Sequence, residues 1–226
     1  MQTATLADIE RYIEENNPGT IVGVDEAGRG CWAGSIIAAA AAVPAHWQPP
    51  PGLTDSKKMT AKSREAVYER YKDDDKVVIG IGEVGPEEID QIGIDAAQAK
   101  AQAEAIRGTF WRLAYPPFVV VDGVNPPAIE PPDVKRIMML PKGDLLVPAV
   151  SLASVYAKVI QCRLMGDFEK RHPGYGFGGH KGYGTKVHKE ALDRLGPCDI
   201  HRRSYSPVAK AAARHGGSKA AWEMLS

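Results

Sequence analysis

The chain has 226 residues, 28 Lys and Arg against 28 Asp and Glu, 44% hydrophobic residues and 25% charged ones. This is the make-up of a soluble globular protein with one good-sized core and room for a small helical extension. No apolar run is long enough to span a membrane, and the opening residues read as a short charged helix, not a signal peptide. Cys31, Cys162 and Cys198 are odd in number and scattered, which favours a reducing, cytoplasmic setting and disfavours disulfides or a zinc cluster.

In chain order, residues 2–17 predict a helix ended by Asn16, Asn17, Pro18 and Gly19. Two apolar runs, Thr20–Val24 and Ser35–Val43, predict the first two strands. A proline-rich loop from Pro44 to Gly52 precedes Leu53–Lys58, and Thr60 is placed to cap a helix through Ala61–Lys72. Lys76–Val84 predicts the third strand, Pro86–Ile92 a short helix and Asp95–Trp111 an Ala- and Gln-rich helix. After Pro116 and Pro117, Phe118–Val121 predicts a strand buried on both faces. Ile137–Leu140 is a further strand, Val150–Lys170 a long helix, and Pro173–Gly184 a loop rich in Gly, Tyr and Lys. Helices over Lys186–Leu195 and Pro207–Arg214 complete the chain. The expected fold is α/β: a mixed sheet of three antiparallel strands, then alternating helix and strand, flanked by helices and carrying a C-terminal helical extension. The expected division is an N-terminal helix over 1–19, a catalytic domain over 20–206, and a C-terminal helix and tail over 207–226.

The stretch Ile21–Ala42 organises this pattern. Its first apolar run ends in Asp25 and Glu26, followed by Gly28, Arg29 and Gly30. Adjacent carboxylates at the end of a buried strand lose solvation unless something positive offsets them, and a divalent cation can do so. A polar turn between two core strands explains the same residues. Neighbouring side chains of a regular strand face opposite ways, so Asp25 and Glu26 serve one site only where the backbone departs from strand geometry. Gly28 and Gly30 allow such a departure and the close approach of a ligand, and Arg29 can reach a phosphate. Asp122 and Asp144 likewise follow apolar runs. Strand ends meet at one edge of a sheet, and four carboxylates without His or Cys suit Mg²⁺ or Mn²⁺, not zinc. Turn-forming Asp residues are the plain alternative for each one singly. Residues 142–226 hold 14 Lys and Arg against 7 Asp and Glu, a bias that suits a polyanionic partner.

The segments VGVDEAGRG, LTDSKK, VVVDG, KGD, LASVYAK, YGFGGHKGYGT and HRRSYSPV occur in that order. Together they resemble bacterial ribonuclease HII, of the type 2 ribonucleases H, from about Ile21 to Val208. The resemblance implies a ribonuclease H-like fold. It also implies metal-dependent cleavage of RNA in RNA–DNA hybrids and 5′ of single ribonucleotides in duplex DNA, leaving 3′-hydroxyl and 5′-phosphate ends. Asp25, Glu26, Asp122 and Asp144 match the acidic catalytic positions, which would hold two Mg²⁺ or Mn²⁺ ions. Gly28, Arg29 and Gly30 match the loop that reads the ribose 2′-hydroxyl, Tyr183 the tyrosine that packs on the following sugar, and Ser56, Lys57 and Lys58 a phosphate-contacting segment. The resemblance allows a sliding clamp as a further partner through the C-terminal segment, and the chain is expected to be a monomer.

Two segments depart from the family pattern. Cys31–Ser35 stands where Pro-Leu-Ala-Gly-Pro is usual, and Ile160, Gln161 and Cys162 stand where Thr-Arg-Asp is usual, removing an ion pair expected at a helix surface or near the site. Cys31 reads as structural. His180 and His188 suit proton shuttling, phosphate contact or a structural role, and Arg202 with Arg203 suits a phosphate clamp or a pin for the C-terminal helices. A DNA nuclease or integrase on the same fold and a non-catalytic hybrid-binding module are the rival readings.

Overall fold

The computed structural model describes residues 3–113, 117–129 and 133–216, and these form two compact units. The first comprises residues 1–27, 37–83 and 98–160. It carries a five-stranded sheet, ordered β3-β2-β1-β4-β5, of Thr20–Ala27 (β1), Ile36–Pro44 (β2), Val78–Val84 (β3), Phe118–Asp122 (β4) and Arg136–Leu140 (β5). β1 runs antiparallel to β2 and parallel to β4, and β4 runs parallel to β5.

Helix α1, Leu6–Asn16, starts in a capping box between Thr5 and Asp8 and stops where Asn17 turns left-handed at φ 38°. It buries Ile9 and lays Tyr12 on Phe118, ring centres 4.4 Å apart. Helix α2, Ala61–Tyr71, is capped by the Thr60 side chain as expected. The sheet is flanked closely because its residues there are small. β2 carries five consecutive alanines, Ala38 to Ala42, and is buried from Ile36 to Val43. A Cβ on Gly23 of β1 would lie 2.2 Å from backbone atoms of Ala149 and Val150 in helix α5, Pro148–Arg171. A Cβ on Gly82 of β3 would lie 2.0 Å from the Ala101 carbonyl of helix α4, Ile94–Arg107.

The second unit comprises residues 28–36, 84–97 and 161–226. It holds helix α3 (Pro86–Ile92), the last part of α5, a single-turn helix α6 (Phe177–His180), α7 (Lys186–Leu195) and α8 (Ser206–Arg214). Its core gathers Ala33, Met165, Phe168, Tyr175, Phe177, Ala191 and Ile200. Among the described residues, no helix is long and apolar enough to cross a membrane.

Several boundaries differ from the sequence reading. β1 does not stop at Val24. It continues through Asp25 and Glu26 to Ala27, paired residue for residue with β2 as far as Ile37, and the chain leaves the strand only at Gly28, whose φ is 90°. The expected departure therefore lies beyond the two carboxylates. α4 ends at Arg107, short of Trp111, because Thr109 is buried and donates its hydroxyl to the Ile106 carbonyl at 2.7 Å; a short 3₁₀ turn, Phe110–Arg112, follows. α6 interrupts the expected loop because Phe177 is drawn fully into the core. The tail residues Trp222–Leu225 lie outside the described residues.

Gly23→Ala should cost at least about 2 kcal/mol, since the clash is with helix backbone, which has no rotamer to change. Urea unfolding monitored by circular dichroism checks this.

Candidate active site

The first unit brings three acids together. One carboxylate oxygen from each of Asp25, Asp122 and Asp144 lies within 4.8 Å of the others. Parallel register does most of the placing: Val24 of β1 is opposite Val121 of β4, so the next residues, Asp25 and Asp122, leave adjacent strands side by side. Asp144 arrives on a 3₁₀ turn, Gly143–Leu145, entered through Lys142 in the left-handed region at φ 62°. The Gly143 amide donates to Asp122 Oδ1 at 2.7 Å, and the Ser151 hydroxyl donates to the Asp144 carbonyl at 2.7 Å. Asp25 receives its own neighbour's amide, Glu26 N–H, at 2.7 Å.

The charges are unfavourable as they stand. Asp25 is 6% exposed and Asp144 5%. Burial, with Glu26 and Asp122 alongside, pushes the Asp25 carboxyl well above the usual range, against a hydrogen bond from Ser154. Burial, with Asp122 and Asp55 nearby, lifts Asp144 to about 6, while Lys57 opposes the rise. Such a group of oxygen donors fits a hard divalent cation, which would replace the protons as the balancing charge. Glu26 adds its charge beside Asp25 but is not one of the three converging donors, and Gln102 Nε2 of α4 donates to Glu26 Oε2 at 3.0 Å. Gln102 is fully buried and its Oε1 has no hydrogen-bond partner. The only sign of this residue in the sequence was the glutamine content of α4.

Ser56, Lys57 and Lys58 form a short 3₁₀ turn begun by Asp55. The two lysines are exposed, whereas Ser56 is 3% exposed and accepts the Ser154 hydroxyl at 2.9 Å. Ser56 is thus turned inward beside a residue that neighbours Asp25.

The second unit holds the glycine loop and Tyr183. Cys31 bridges Tyr183 as a β-pair, Trp32 N–H donates to the Gly182 carbonyl at 2.8 Å, and a Cβ on Gly30 would lie 3.8 Å from the Tyr183 ring. Gly182 must be glycine, with φ 83° and the Ala33 carbonyl 2.4 Å from any Cβ. Tyr183 remains 38% exposed, and burial of its hydroxyl beside the Cys31 thiol pushes the phenol up to about 12. Arg29 pairs with Asp95.

Arg202 sets this loop. It is fully buried and donates to the carbonyls of Gly28 at 2.7 Å, Arg29 at 2.9 Å and Gly34 at 2.9 Å. In a trans peptide the N–H points opposite to the preceding C=O, so turning the Gly28 and Arg29 carbonyls onto Arg202 turns the Arg29 and Gly30 amides to the other side. Arg202 is therefore a structural pin and no phosphate clamp, but what it pins is the glycine loop and not, as expected, the C-terminal helices to the sheet. Arg203 instead offers its backbone amide to Asp90 at 2.7 Å. His188 is likewise structural: it is buried, bonds the Tyr183 carbonyl through Nδ1 at 3.0 Å and meets His201 Nε2 at 3.0 Å. Burial pushes His188 down to about 4 and His201 down to about 3, so both stay neutral.

The two departures from the family pattern meet. Gln161, 1% exposed, donates to the Lys181 carbonyl at 2.8 Å and contacts Cys31 Sγ at 3.8 Å; the Cys31 thiol donates to the same carbonyl at 3.2 Å. Position 161 is no helix-surface ion-pair site but a buried support of the Tyr183 loop.

A family model described as Ribonuclease HII matches residues 22–208. The chain belongs to the ribonuclease HII family. A ribonuclease HII of Halorhodospira halophila is 42% identical over 84% of this chain and 93% of that protein. Among solved structures, ribonuclease H2 from Pyrococcus horikoshii superposes with a TM-score of 0.67 at 23% identity, over 88% of this chain and all of that one. Bst-RNase HIII in complex with Mn²⁺ gives 0.67 at 17% identity, over 87% and 70%. These two share the fold. As a member of the family, the chain is an endoribonuclease of the ribonuclease H type, acting on RNA–DNA hybrids.

Asp144 is held above its unfolded value, so its contribution to stability without metal is full below about pH 4 and is lost as pH rises through about 6. In chelator, Asp144→Asn should therefore gain in melting temperature relative to the unmodified chain across that window, read by thermal melts at stepped pH.

Proposed function

We propose that the chain cuts RNA–DNA hybrids and also the 5′ side of single ribonucleotides in duplex DNA, leaving 3′-hydroxyl and 5′-phosphate ends. Asp25, Asp122, Asp144 and Glu26 would hold the divalent ions, Mg²⁺ or Mn²⁺, and a pair of them is the reading we favour. The observation that carries this is the convergence of three acids within 4.8 Å, two of them buried and shifted upward, first by burial and then by neighbouring carboxylates, Asp122 among them. Bound there, such ions would supply a nucleophilic water and stabilise the departing 3′-oxygen.

The chain's own residues do the rest. The Gly143 amide fixes the Asp122 carboxylate, the Glu26 amide orients Asp25, and Gln102 holds Glu26. The Arg29 and Gly30 amides, turned by Arg202, are the groups we assign to the 2′-hydroxyl, which alone distinguishes RNA from DNA at one nucleotide. Tyr183 offers a half-exposed ring for the next sugar. Lys57 and Lys58 would contact phosphates without reading sequence.

The test is a DNA duplex with one ribonucleotide, with the cut mapped. Cleavage 5′ of the ribonucleotide in Mg²⁺ is expected, and none in an all-DNA duplex; equal cleavage of both would favour a DNA nuclease. Asp25→Asn or Asp122→Asn should lower the rate by roughly a thousandfold or more while hybrid binding in a gel-shift assay stays within a few-fold. Near-unchanged rates in either variant would remove the acid site from the mechanism.

A further inference from the structure

The second unit contains another group of metal-ligating side chains, chemically unlike the acid trio. One donor atom from each of His172, Cys198 and Asp199 lies within 4.8 Å of the others. His172 Nε2 is 3.2 Å from Asp199 Oδ1. Donors bound 2.0 to 2.3 Å from a tetrahedral ion lie about 3.3 to 3.8 Å apart, so this pair needs to open by only about 0.1 Å to hold one. We propose that His172, Cys198 and Asp199 form a second metal centre, selective for Zn²⁺ or a similarly soft ion, with water in the fourth position.

Two rigid segments present the donors. His172 extends the last turn of α5 through its amide bond to the Phe168 carbonyl at 2.8 Å, and its ring lies beside Phe168. Cys198 and Asp199 sit on a turn closed from both sides: Cys198 N–H donates to His201 Nδ1 at 3.0 Å, and His201 N–H returns to the Cys198 carbonyl at 3.2 Å. The Cys198 thiol is 3.1 Å from the same His201 nitrogen. On metal uptake the thiol proton passes to solvent and the sulfur–metal bond forms, while His201 Nδ1 keeps the backbone N–H. An imidazole, thiolate and carboxylate set disfavours Mg²⁺ and Mn²⁺, so the two metal sites would not compete for the same ions. The centre would tie the end of α5 to the turn that leads directly into Arg202, the residue that sets the glycine loop.

The experiment is Co²⁺ titration of the metal-stripped full chain in excess Mg²⁺, which occupies the acid trio, while the thiolate-to-cobalt charge-transfer absorption is followed. We expect saturation at one equivalent, loss of the band in Cys198→Ser, at least tenfold weaker binding in His172→Ala, and an unchanged titration in Cys162→Ser. Zn²⁺ should displace the cobalt and raise the melting temperature of the unmodified chain and of Cys162→Ser, but not that of Cys198→Ser. Circular dichroism confirms folding of each variant; if Cys198→Ser does not fold, weaker binding in Asp199→Asn serves in its place. No charge-transfer band, or a band that survives in Cys198→Ser, overturns the proposal.

Discussion

The parallel register of β1 and β4 is the constraint on which the acid site depends. Pairing Val24 with Val121 commits Asp25 and Asp122 to neighbouring positions whether or not a cation is present. Two unit charges about 4 Å apart repel by about 4 kcal/mol at the effective dielectric of a protein surface, and the core cannot relax to separate them because Gly23 is pressed against the backbone of α5. The remaining relief is chemical: the carboxyls take up protons or bind a cation. Burial first, and the neighbouring carboxylates second, shift both Asp25 and Asp144 upward. The sheet stores the tension, and a divalent ion releases it.

In the second unit the sign of the charge is reversed. One buried guanidinium collects three main-chain carbonyls, and its cation is balanced by aligned peptide dipoles and not by a carboxylate. Around it, histidines act as neutral hydrogen-bonding groups: His201 and His188 pass contacts from the Cys198 turn to the Tyr183 carbonyl. Gln161 does similar work for Lys181. The loop that carries the glycines is thus shaped by residues distant in sequence, most of them uncharged at neutral pH.

The strands and helices were legible wherever burial and periodicity agreed, as at Phe118–Asp122 and Lys186–Leu195. The acids were legible because each followed an apolar run, and apolar runs ending together place their next residues together. What was not legible depended on contacts between remote segments. Nothing local marks Gln102 as the partner of Glu26, Ser56 as buried, or Arg202 as the anchor of residues more than 160 positions earlier. β1 runs longer than its sequence suggests because Asp and Glu read as strand-ending residues, while Ala39 and Ala38 of the partner strand leave room for them to stay paired. The grouping of His172 with Cys198 and Asp199 was hidden for the same reason, since spacing alone scatters the cysteines.

The long span bridged by Arg202 has a consequence for synthesis. A chain emerging from the ribosome has its acid-bearing strands complete by Leu140, and Asp144 follows at once, yet the carbonyls of Gly28, Arg29 and Gly34 must wait for Arg202. Between the synthesis of Asp144 and that of Arg202 the nascent protein would carry its acids without the group that shapes the glycine loop. The glycine loop therefore takes its shape only after the acid-bearing strands have been made.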